Sequence, residues 1–208
     1  MVISASYSVR TFCVAIILLG MCASCPAATI LQIRFSELCQ RSKLIFEGHV
    51  TRVETYQSDN TRAIRTVVTF DVIDPIKGEN TGDSIQLSFL GGTVGDLTLK
   101  IADLRLPELG ETGIYFVESL DEQQVNPLTG WAQGHFLVEL DSANTKRVLT
   151  SNFRPIYSID PAYEETRKGT STGLALGAHA DDNKDLSKAL SAESFKNIIK
   201  QRLLEPSL

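Results

Sequence analysis

Histidine is scarce in this chain, and its three copies do not form a cluster. His49, His135 and His179 fit neither the HExxH motif nor a Cys/His group with metal-binding spacing. The acidic stretch DDNKD at 181–185 lacks the spacing and the terminal Glu of a calcium loop. The sequence therefore predicts no metal site and no cofactor.

Clusters of lysine and arginine are missing as well. The 208 residues carry 20 Lys and Arg against 25 Asp and Glu, a formal net charge of −5. Nucleic acids and anionic membrane surfaces need concentrated basic side chains, so we predict no nucleic-acid partner. Beyond residue 27 no apolar run approaches the roughly 20 residues that cross a bilayer, which predicts no stable membrane span after signal cleavage.

The first 27 residues have the three parts of an export signal. A start that carries one charge, Arg10, precedes the apolar run FCVAIILLGMCA and the small residues SCPAA. The apolar run is shorter than a bilayer span, which favours a cleaved signal peptide over an anchor. We therefore expect residues 1–27 to be removed and the mature protein to be periplasmic or extracellular.

Only one of the four cysteines, Cys39, lies well inside the predicted mature domain. Signal cleavage after Ser24 would leave Cys25 as the first residue, able to form a disulfide with Cys39 in an oxidising compartment. Cleavage after Ala27 would leave Cys39 as a lone thiol that packs as a small apolar side chain. We favour the second alternative because alanine is the preferred residue before the scissile bond.

Between residues 44 and 150 apolar residues alternate with polar ones, and turn residues interrupt them at short intervals. This pattern is typical of an antiparallel all-β domain, and six or seven short strands suit a small barrel or a sandwich. Three segments have a clear inward face: Val68, Phe70 and Val72; Ile85, Leu87 and Phe89; and Leu97, Leu99 and Ile101.

The flanks of this β region show different patterns. FSELCQRS predicts a short helix with Ser36 as its N-cap, which turns Leu38 and Cys39 toward the core. Residues 151–186 are rich in small and polar residues without a sustained period, which predicts a partly flexible linker. Residues 187–205 have apolar side chains at helical spacing, which predicts an amphipathic helix docked on the β domain, the alternative being a partner-binding or membrane-surface helix.

The only tryptophan, Trp131, lies near Gln133 at the start of a predicted strand. It is either a packed residue or an exposed platform for a sugar or a peptide, and one aromatic without aromatic neighbours favours packing. We take Trp131, Gln133 and Cys25 as the candidate partner-binding residues.

The run from Gly169 to Gly173 matches the nucleophile elbow around Ser171, with His179 and Asp182 downstream. The elbow requires a buried strand before the serine and a helix after it, and neither is indicated here. A loop is therefore favoured over a serine hydrolase, which remains a remote alternative. We predict no catalytic residues and a protein that is not an enzyme.

Three motifs occur in a characteristic order: ELCQRSKLIFEGHV, VTFDVIDPIKG and GETGIYFV. Together they resemble the netrin-type module, whose best-known members are the tissue inhibitors of metalloproteinases, over roughly residues 30 to 120. The chain is also similar to a set of uncharacterised exported bacterial proteins. The matching positions are Cys39, Ser42, Ile45, Gly48, Val50, Phe70, Val72, Lys77, Gly78, Gly110, Tyr115 and Phe116.

The resemblance implies a fold that is all-β with minor α. It is a small OB-like antiparallel β-barrel over residues 28–150, with a short N-terminal helix and a C-terminal amphipathic helix. It also implies a non-enzymatic binding module that inhibits or binds a secreted metalloprotease or another exported protein. The family's wedge is an N-terminal cysteine that chelates the protease zinc, for which this chain offers Cys25. The chain departs from the family at Lys43 and in the missing cross-linking cysteines. The alternative is an envelope protein that binds an oligosaccharide or a peptide.

Overall fold

The computed structural model describes residues 30–78, 82–120, 122–160, 163, 169–182 and 185–204. The predicted signal peptide and Cys25 lie outside these residues. In chain order the described elements are α1 (Phe35–Arg41), β1 (Leu44–Gln57), β2 (Ile64–Lys77), β3 (Ser84–Leu90), β4 (Gly92–Val94), β5 (Leu97–Leu99), β6 (Thr112–Val117), a 3-10 helix (Trp131–Gly134), β7 (His135–Leu140), β8 (Lys146–Thr150), β9 (Ile156–Ile159), β10 (Ala178–Ala180), a second 3-10 helix (Leu186–Lys188) and α2 (Ala192–Leu204). The prediction of a mainly β fold with minor α is confirmed.

Six strands form one antiparallel sheet in the order β3-β2-β1-β6-β7-β8. Two short two-stranded sheets, β4–β5 and β9–β10, lie outside it. The pairing of β1 with β2 shifts register at three places between Ile45 and Arg52, and such bulges bend and twist a strand. Among the described residues no hydrogen-bonded ladder joins β3 to β8, so the sheet is open.

Side chains alternate across the sheet and give it two apolar faces. One face, which we call the inner cluster, is built almost entirely from strands β1, β2, β3 and β6. The inward faces predicted for β2 and β3 are confirmed, because Phe70 and Phe89 are fully buried there. The members of the inner cluster are Leu44, Phe46, Val50, Val68, Phe70, Ile85, Leu87, Phe89, Tyr115, Val117 and Leu128.

The opposite face of the sheet packs against both helices. Phe35 of α1 and Phe195 of α2 contact each other and Phe136 of β7, with ring centroids 4.9–6.5 Å apart. Leu38 and Cys39 are buried on this side, as predicted. The predicted cap is wrong, because α1 begins at Phe35 and Arg34 occupies the N-cap position without a side-chain hydrogen bond.

One expectation about the loops needs correction. Leu97 was expected to point inward but is 56% exposed, because β4–β5 is a separate hairpin and not part of the large sheet. The partly flexible linker predicted for 151–186 stays a prediction, although its described part includes β9, which pairs with β10 and buries Ile156, Ile159 and Ala178. Small residues such as Ala178 allow this close packing without an obvious apolar period. The undescribed residues of the segment remain outside this comparison.

A buried ionic network fastens α2 to the sheet. The Lys196 ammonium lies 2.8 Å from Glu47 Oε2 on β1 and 2.9 Å from Asp74 Oδ2 on β2, and the Lys146 ammonium lies 2.6 Å from Glu47 Oε1. Burial raises the pKa of Glu47, but the hydrogen bonds from Lys146 and Lys196 outweigh burial and lower it. Burial likewise lowers the pKa of Lys196, and its two carboxylate partners outweigh that effect and raise it.

Replacement of Lys196 by methionine is expected to lower the free energy of unfolding by about 3 kcal/mol, because the Glu47 carboxylate loses one of its two cations while it stays buried. Urea unfolding measures the change. Lys200→Met on an exposed position of the same helix is the control, with an expected change within about 0.5 kcal/mol. Equal losses in the two variants would show that the network does not fasten the helix.

Candidate functional site

A polar group of side chains lies at one end of the inner cluster. Tyr115 contacts Phe70 on one side and His135 on the other, with ring centroids 4.6 Å and 5.2 Å away. Its hydroxyl donates a hydrogen bond of 2.9 Å to Glu111 Oε1, and His135 Nε2 lies 2.6 Å from the same oxygen. The second carboxylate oxygen of Glu111 accepts from Arg105 Nη1 at 2.6 Å. Glu111 thus joins three partners from different segments.

The charges in this group stabilise one protonation state. Burial raises the pKa of Glu111, but the hydrogen bond and charge of His135, together with Arg105, outweigh it and lower the pKa below its ordinary value. Burial, reinforced by the Glu111 carboxylate, raises the pKa of Tyr115 well above its ordinary value. Glu111 is therefore an ionised acceptor at neutral pH, and Tyr115 is a neutral donor.

The position of Glu111 follows from the start of β6. Gly110 has a φ of 83°, which favours glycine, and its amide donates to the Val50 carbonyl at 2.9 Å. The Val50 amide in turn donates to the Glu111 carbonyl at 2.8 Å. This pair of backbone bonds fixes the end of the 103–112 loop to β1 and directs the Glu111 side chain toward His135.

Arg105 connects the buried polar group with the protein surface. Beyond Glu111 it contacts Glu108 at 3.3 Å, and its guanidinium carbon lies 5.0 Å from the centroid of the Phe153 ring, which is a cation–π distance. Phe153 is 50% exposed and Leu109 is 69% exposed. We call the patch formed by Arg105, Glu108, Leu109 and Phe153 the Arg105 surface.

The Phe153 ring is held by the turn between β8 and β9. The Phe153 amide donates to the Thr150 carbonyl at 2.9 Å, and the Thr150 hydroxyl accepts from the Arg154 amide at 3.1 Å. Phe153 has a φ of 59°, an uncommon conformation for an aromatic residue. The turn therefore presents this ring to solvent at a defined position.

Three cavities meet at Arg105, which lies in the wall of each. The first has a volume of about 320 Å³, and its wall includes four hydroxyl side chains and one amide side chain, so we call it the hydroxyl-lined cavity. The second, of about 350 Å³, lies against the β4–β5 hairpin, and the third, of about 330 Å³, lies beside Phe153 and Leu109. Arg105 is the residue shared by all three walls.

The two predicted binding residues near the start of β7 lie in different environments. Trp131 is half-buried, with a φ of 60°, and opens a 3-10 helix whose neighbours Gly130 and Ala132 line the hydroxyl-lined cavity. Gln133 is fully buried, and its side-chain oxygen accepts from the Ile33 amide at 2.9 Å. Its side-chain nitrogen donates to the carbonyls of Leu31 and Gly130.

The structure gives no support to the expectation that Gln133 contacts a partner. A fully buried amide whose donor and acceptor bind the chain's own backbone presents no group to a partner. Gln133 instead fastens the segment before α1 to the 3-10 helix. The role of Trp131 stays a prediction.

Cys39 is buried, and burial raises the pKa of its thiol to about 12. The thiol carries no disulfide among the described residues, and the predicted partner, Cys25, lies outside them. The Lys77 ammonium donates to the backbone carbonyls of Cys39 and Gln40 at 2.9 Å and 2.8 Å, a favourable place for a cation at a helix C-terminus. This environment fits a packed, unreactive thiol.

The residues of the hydrolase alternative do not come together. The Ser171 hydroxyl accepts from the Gly173 amide at 3.0 Å, as in a local turn. Asp182 contacts Arg154 at 2.7 Å, and His179 is exposed on β10 opposite Ser158. Within the described residues no hydrogen bond joins Ser171, His179 and Asp182.

The described residues contain no group of three or more His, Cys, Asp or Glu side chains arranged to hold a metal ion. Their helices include none that combines the length and apolar character of a membrane span.

The sequence prediction missed Arg105, Glu111 and Phe153. Glu111 follows Gly110 at a strand start, which is a turn signal only, and Arg105 and Phe153 lie 48 positions apart in the chain. No local pattern links them. Comparison of the chain with known protein families, curated proteins and solved structures finds no match.

Proposed function

We propose that this chain is an exported, non-enzymatic binding module whose protein partner contacts the Arg105 surface. One observation carries the proposal: two exposed apolar side chains, Leu109 and Phe153, flank an arginine that is fixed in place by a buried carboxylate. Aromatic and arginine side chains dominate the binding energy of many protein interfaces. A surface built from them is suited to a partner.

The rigidity of this surface supports the proposal. Binding costs free energy when flexible side chains become ordered, and Arg105 is already held by Glu111, Glu108 and the Phe153 ring. The cavity of about 330 Å³ beside Phe153 offers space for a partner side chain next to the aromatic anchor. A partner would therefore meet a preorganised patch.

We infer that the sheet belongs to an OB-like barrel of the netrin type. The inner cluster supports this inference, because the side chains of β1, β2, β3 and β6 pack on one another instead of against a helix. The bulges in β1 also supply the curvature that such a barrel requires. Both features agree with the resemblance seen in the motifs around Cys39, Phe70 and Tyr115.

The partner class follows from that resemblance. We propose a secreted metalloprotease, with another exported protein as the broader class. Contact through the Arg105 surface does not depend on Cys25, so the proposal stands apart from the zinc-chelating wedge of the resembled inhibitors.

The test is inhibition and binding of zinc metalloproteases by the full mature protein. Thermolysin and a matrix metalloproteinase serve as probes, and the serine protease subtilisin serves as the specificity control. We expect a dose-dependent loss of metalloprotease activity that Phe153→Ala weakens at least about tenfold, the loss typical of an interface anchor.

Ile73→Ala is the matched control, because Ile73 is 48% exposed on β2 and lines none of the three cavities. It should inhibit like the unchanged protein. Absence of binding to both metalloproteases would reject this partner class, and equal effects of the two variants would reject the Arg105 surface as the contact.

A second candidate function is supported by the hydroxyl-lined cavity next to Trp131. We propose on this ground the binding of an oligosaccharide or a peptide in the envelope. Among the described residues, the walls of the hydroxyl-lined cavity and of the cavity beside Phe153 and Leu109 share only Arg105. The two candidate functions therefore predict different sensitive variants.

A further inference from the structure

The hydroxyl-lined cavity is formed where three segments far apart in the chain meet. The 103–105 part of the loop before β6, the 151–152 turn after β8 and the 170–173 loop provide most of its wall. The cavity volume of about 320 Å³ is at the lower end of the range for small-molecule sites. Ile30, Gly130 and Ala132 complete the wall, and Trp131 stands between the last two in the chain.

One wall residue has hydrogen-bonding capacity that the described chain does not use. Ser151 is fully buried, and its hydroxyl has no hydrogen-bond partner among the described residues. A buried hydroxyl without a partner is costly, and native structures usually supply a partner from protein, water or ligand. Serine changes rotamer readily, so a polar group in the adjoining cavity can become that partner.

The neighbouring Asn152 adds a second unused group. Its side chain is exposed and makes no hydrogen bond within the described residues. Its amide nitrogen lies 3.4 Å from the position that a Cβ on Gly173 would occupy, which places the amide beside the opposite loop. Asn152 therefore offers one donor group and one acceptor to a ligand at the cavity mouth.

The charges around the cavity favour a neutral ligand. Among the described residues of its wall, Arg105 is the only cation, and its guanidinium is already paired with Glu111 and Glu108. Asp103 adds a negative charge to the wall. The described wall therefore offers an anion no unpaired positive charge, whereas hydroxyl groups can use the side chains of Ser151, Asn152, Ser171 and Thr172 as donors and acceptors.

We propose that the hydroxyl-lined cavity binds a neutral saccharide, one sugar ring or a disaccharide, with Asn152 as a contact residue. This inference rests on the second candidate function and names its ligand class. It does not depend on the Arg105 surface or on a protease. Trp131 lies between the wall residues Gly130 and Ala132 in the chain and is the only tryptophan, so its fluorescence is the spectroscopic probe and the heat of binding is the independent one.

The experiment titrates the full mature protein with glucose, N-acetylglucosamine, maltose and cellobiose, and follows both Trp131 fluorescence and the heat of binding. Inorganic phosphate and glucuronate are the anionic comparators, and a short neutral peptide is the third ligand class. We expect saturable binding of at least one saccharide and none of the anions or the peptide.

Two variants locate the site. Asn152→Ala should weaken saccharide binding about tenfold, the effect of losing one or two hydrogen bonds, and Ala132→Leu should weaken it at least as much by filling the cavity. Asn60→Ala, at an exposed asparagine in the turn after β1, is the matched control and should bind like the unchanged protein. Thermal unfolding of each variant establishes that it is folded.

The outcomes separate the proposals. Absence of saturable saccharide binding by both fluorescence and calorimetry overturns the inference, as does tight binding of phosphate, glucuronate or the peptide alone. Saccharide binding that is insensitive to both Asn152→Ala and Ala132→Leu also overturns it, because the sugar then lies elsewhere. None of these results alters the protease test, which compares Phe153→Ala with Ile73→Ala.

Discussion

Replacement of Phe70 by alanine is expected to lower the free energy of unfolding by about 3 to 5 kcal/mol. Phe70 is fully buried at the centre of the inner cluster, where its ring lies 5.5 Å from Phe46 and 4.6 Å from Tyr115 between centroids. The loss has two parts, the burial of the ring and the contacts of its neighbours around a new cavity. Because small domains have a total stability of about 5 to 15 kcal/mol, the variant should lose a fifth or more of the total stability.

Chemical unfolding of the unchanged protein and of the variant measures this loss. Ile73→Ala is the control on the same strand, where a 48% exposed side chain should contribute less than about 1 kcal/mol. A Phe70→Ala variant as stable as the control would show that the inner face of the sheet is not a packed core.

The second large effect is expected from Glu111→Gln. The change keeps the shape of the side chain but removes the charge that Arg105 pairs with and that Tyr115 and His135 contact. A buried cluster that loses one charged partner typically costs about 3 to 5 kcal/mol. The variant should also weaken partner binding, because Arg105 loses the carboxylate that fixes it beneath Phe153.

The same variant has a signature in acid. The pKa of Glu111 is lowered in the folded protein, so its stabilising effect is present above its ordinary value of 4.5 and is lost as the pH falls through the lowered value. The stability difference between the unchanged protein and Glu111→Gln should therefore be largest at neutral pH and shrink below pH 4.5. Glu122→Gln, at an exposed position, is the control for the substitution itself and should change the stability at neutral pH by less than about 0.5 kcal/mol.

Urea unfolding at a series of pH values gives both measurements. A difference between the two proteins that stays constant from neutral pH into acid would contradict the assignment of Glu111 as a buried, ionised acceptor. If Glu111→Gln were as stable as the unchanged protein, the claim that the polar group around Tyr115 stabilises the fold would be contradicted.

Strands β2 and β3 of the large sheet could be predicted from sequence because apolar residues alternate along each of them. Val68 and Phe70 alternate with polar residues along β2, and burial on one face follows from that spacing alone. Leu97 has the same local pattern, yet its strand pairs only with β4 outside the sheet, and tertiary position decides its exposure. Alternation thus predicts a strand but not the sheet that it joins.

The candidate site could not be predicted from local sequence patterns, for a different reason. Arg105 and Glu111 come from one loop, Phe153 from another and His135 from a strand start, and no motif joins these segments. They meet because β6 and β7 pair and because the turn after β8 folds back over the 103–112 loop. Gln133 shows the converse, since a polar residue beside a lone tryptophan suggested a surface contact and is instead a buried link to Ile33.

The most direct test of the central claim is amide hydrogen exchange of the full mature protein with and without a bound metalloprotease, with thermolysin inhibited at its active site to prevent cleavage. The account predicts slower exchange in the 103–112 loop and in the 151–153 turn, with no change in the exposed turn around Asn60. Protection confined to the residues that precede α1, or to α2, would place the partner elsewhere and contradict the assignment of the Arg105 surface.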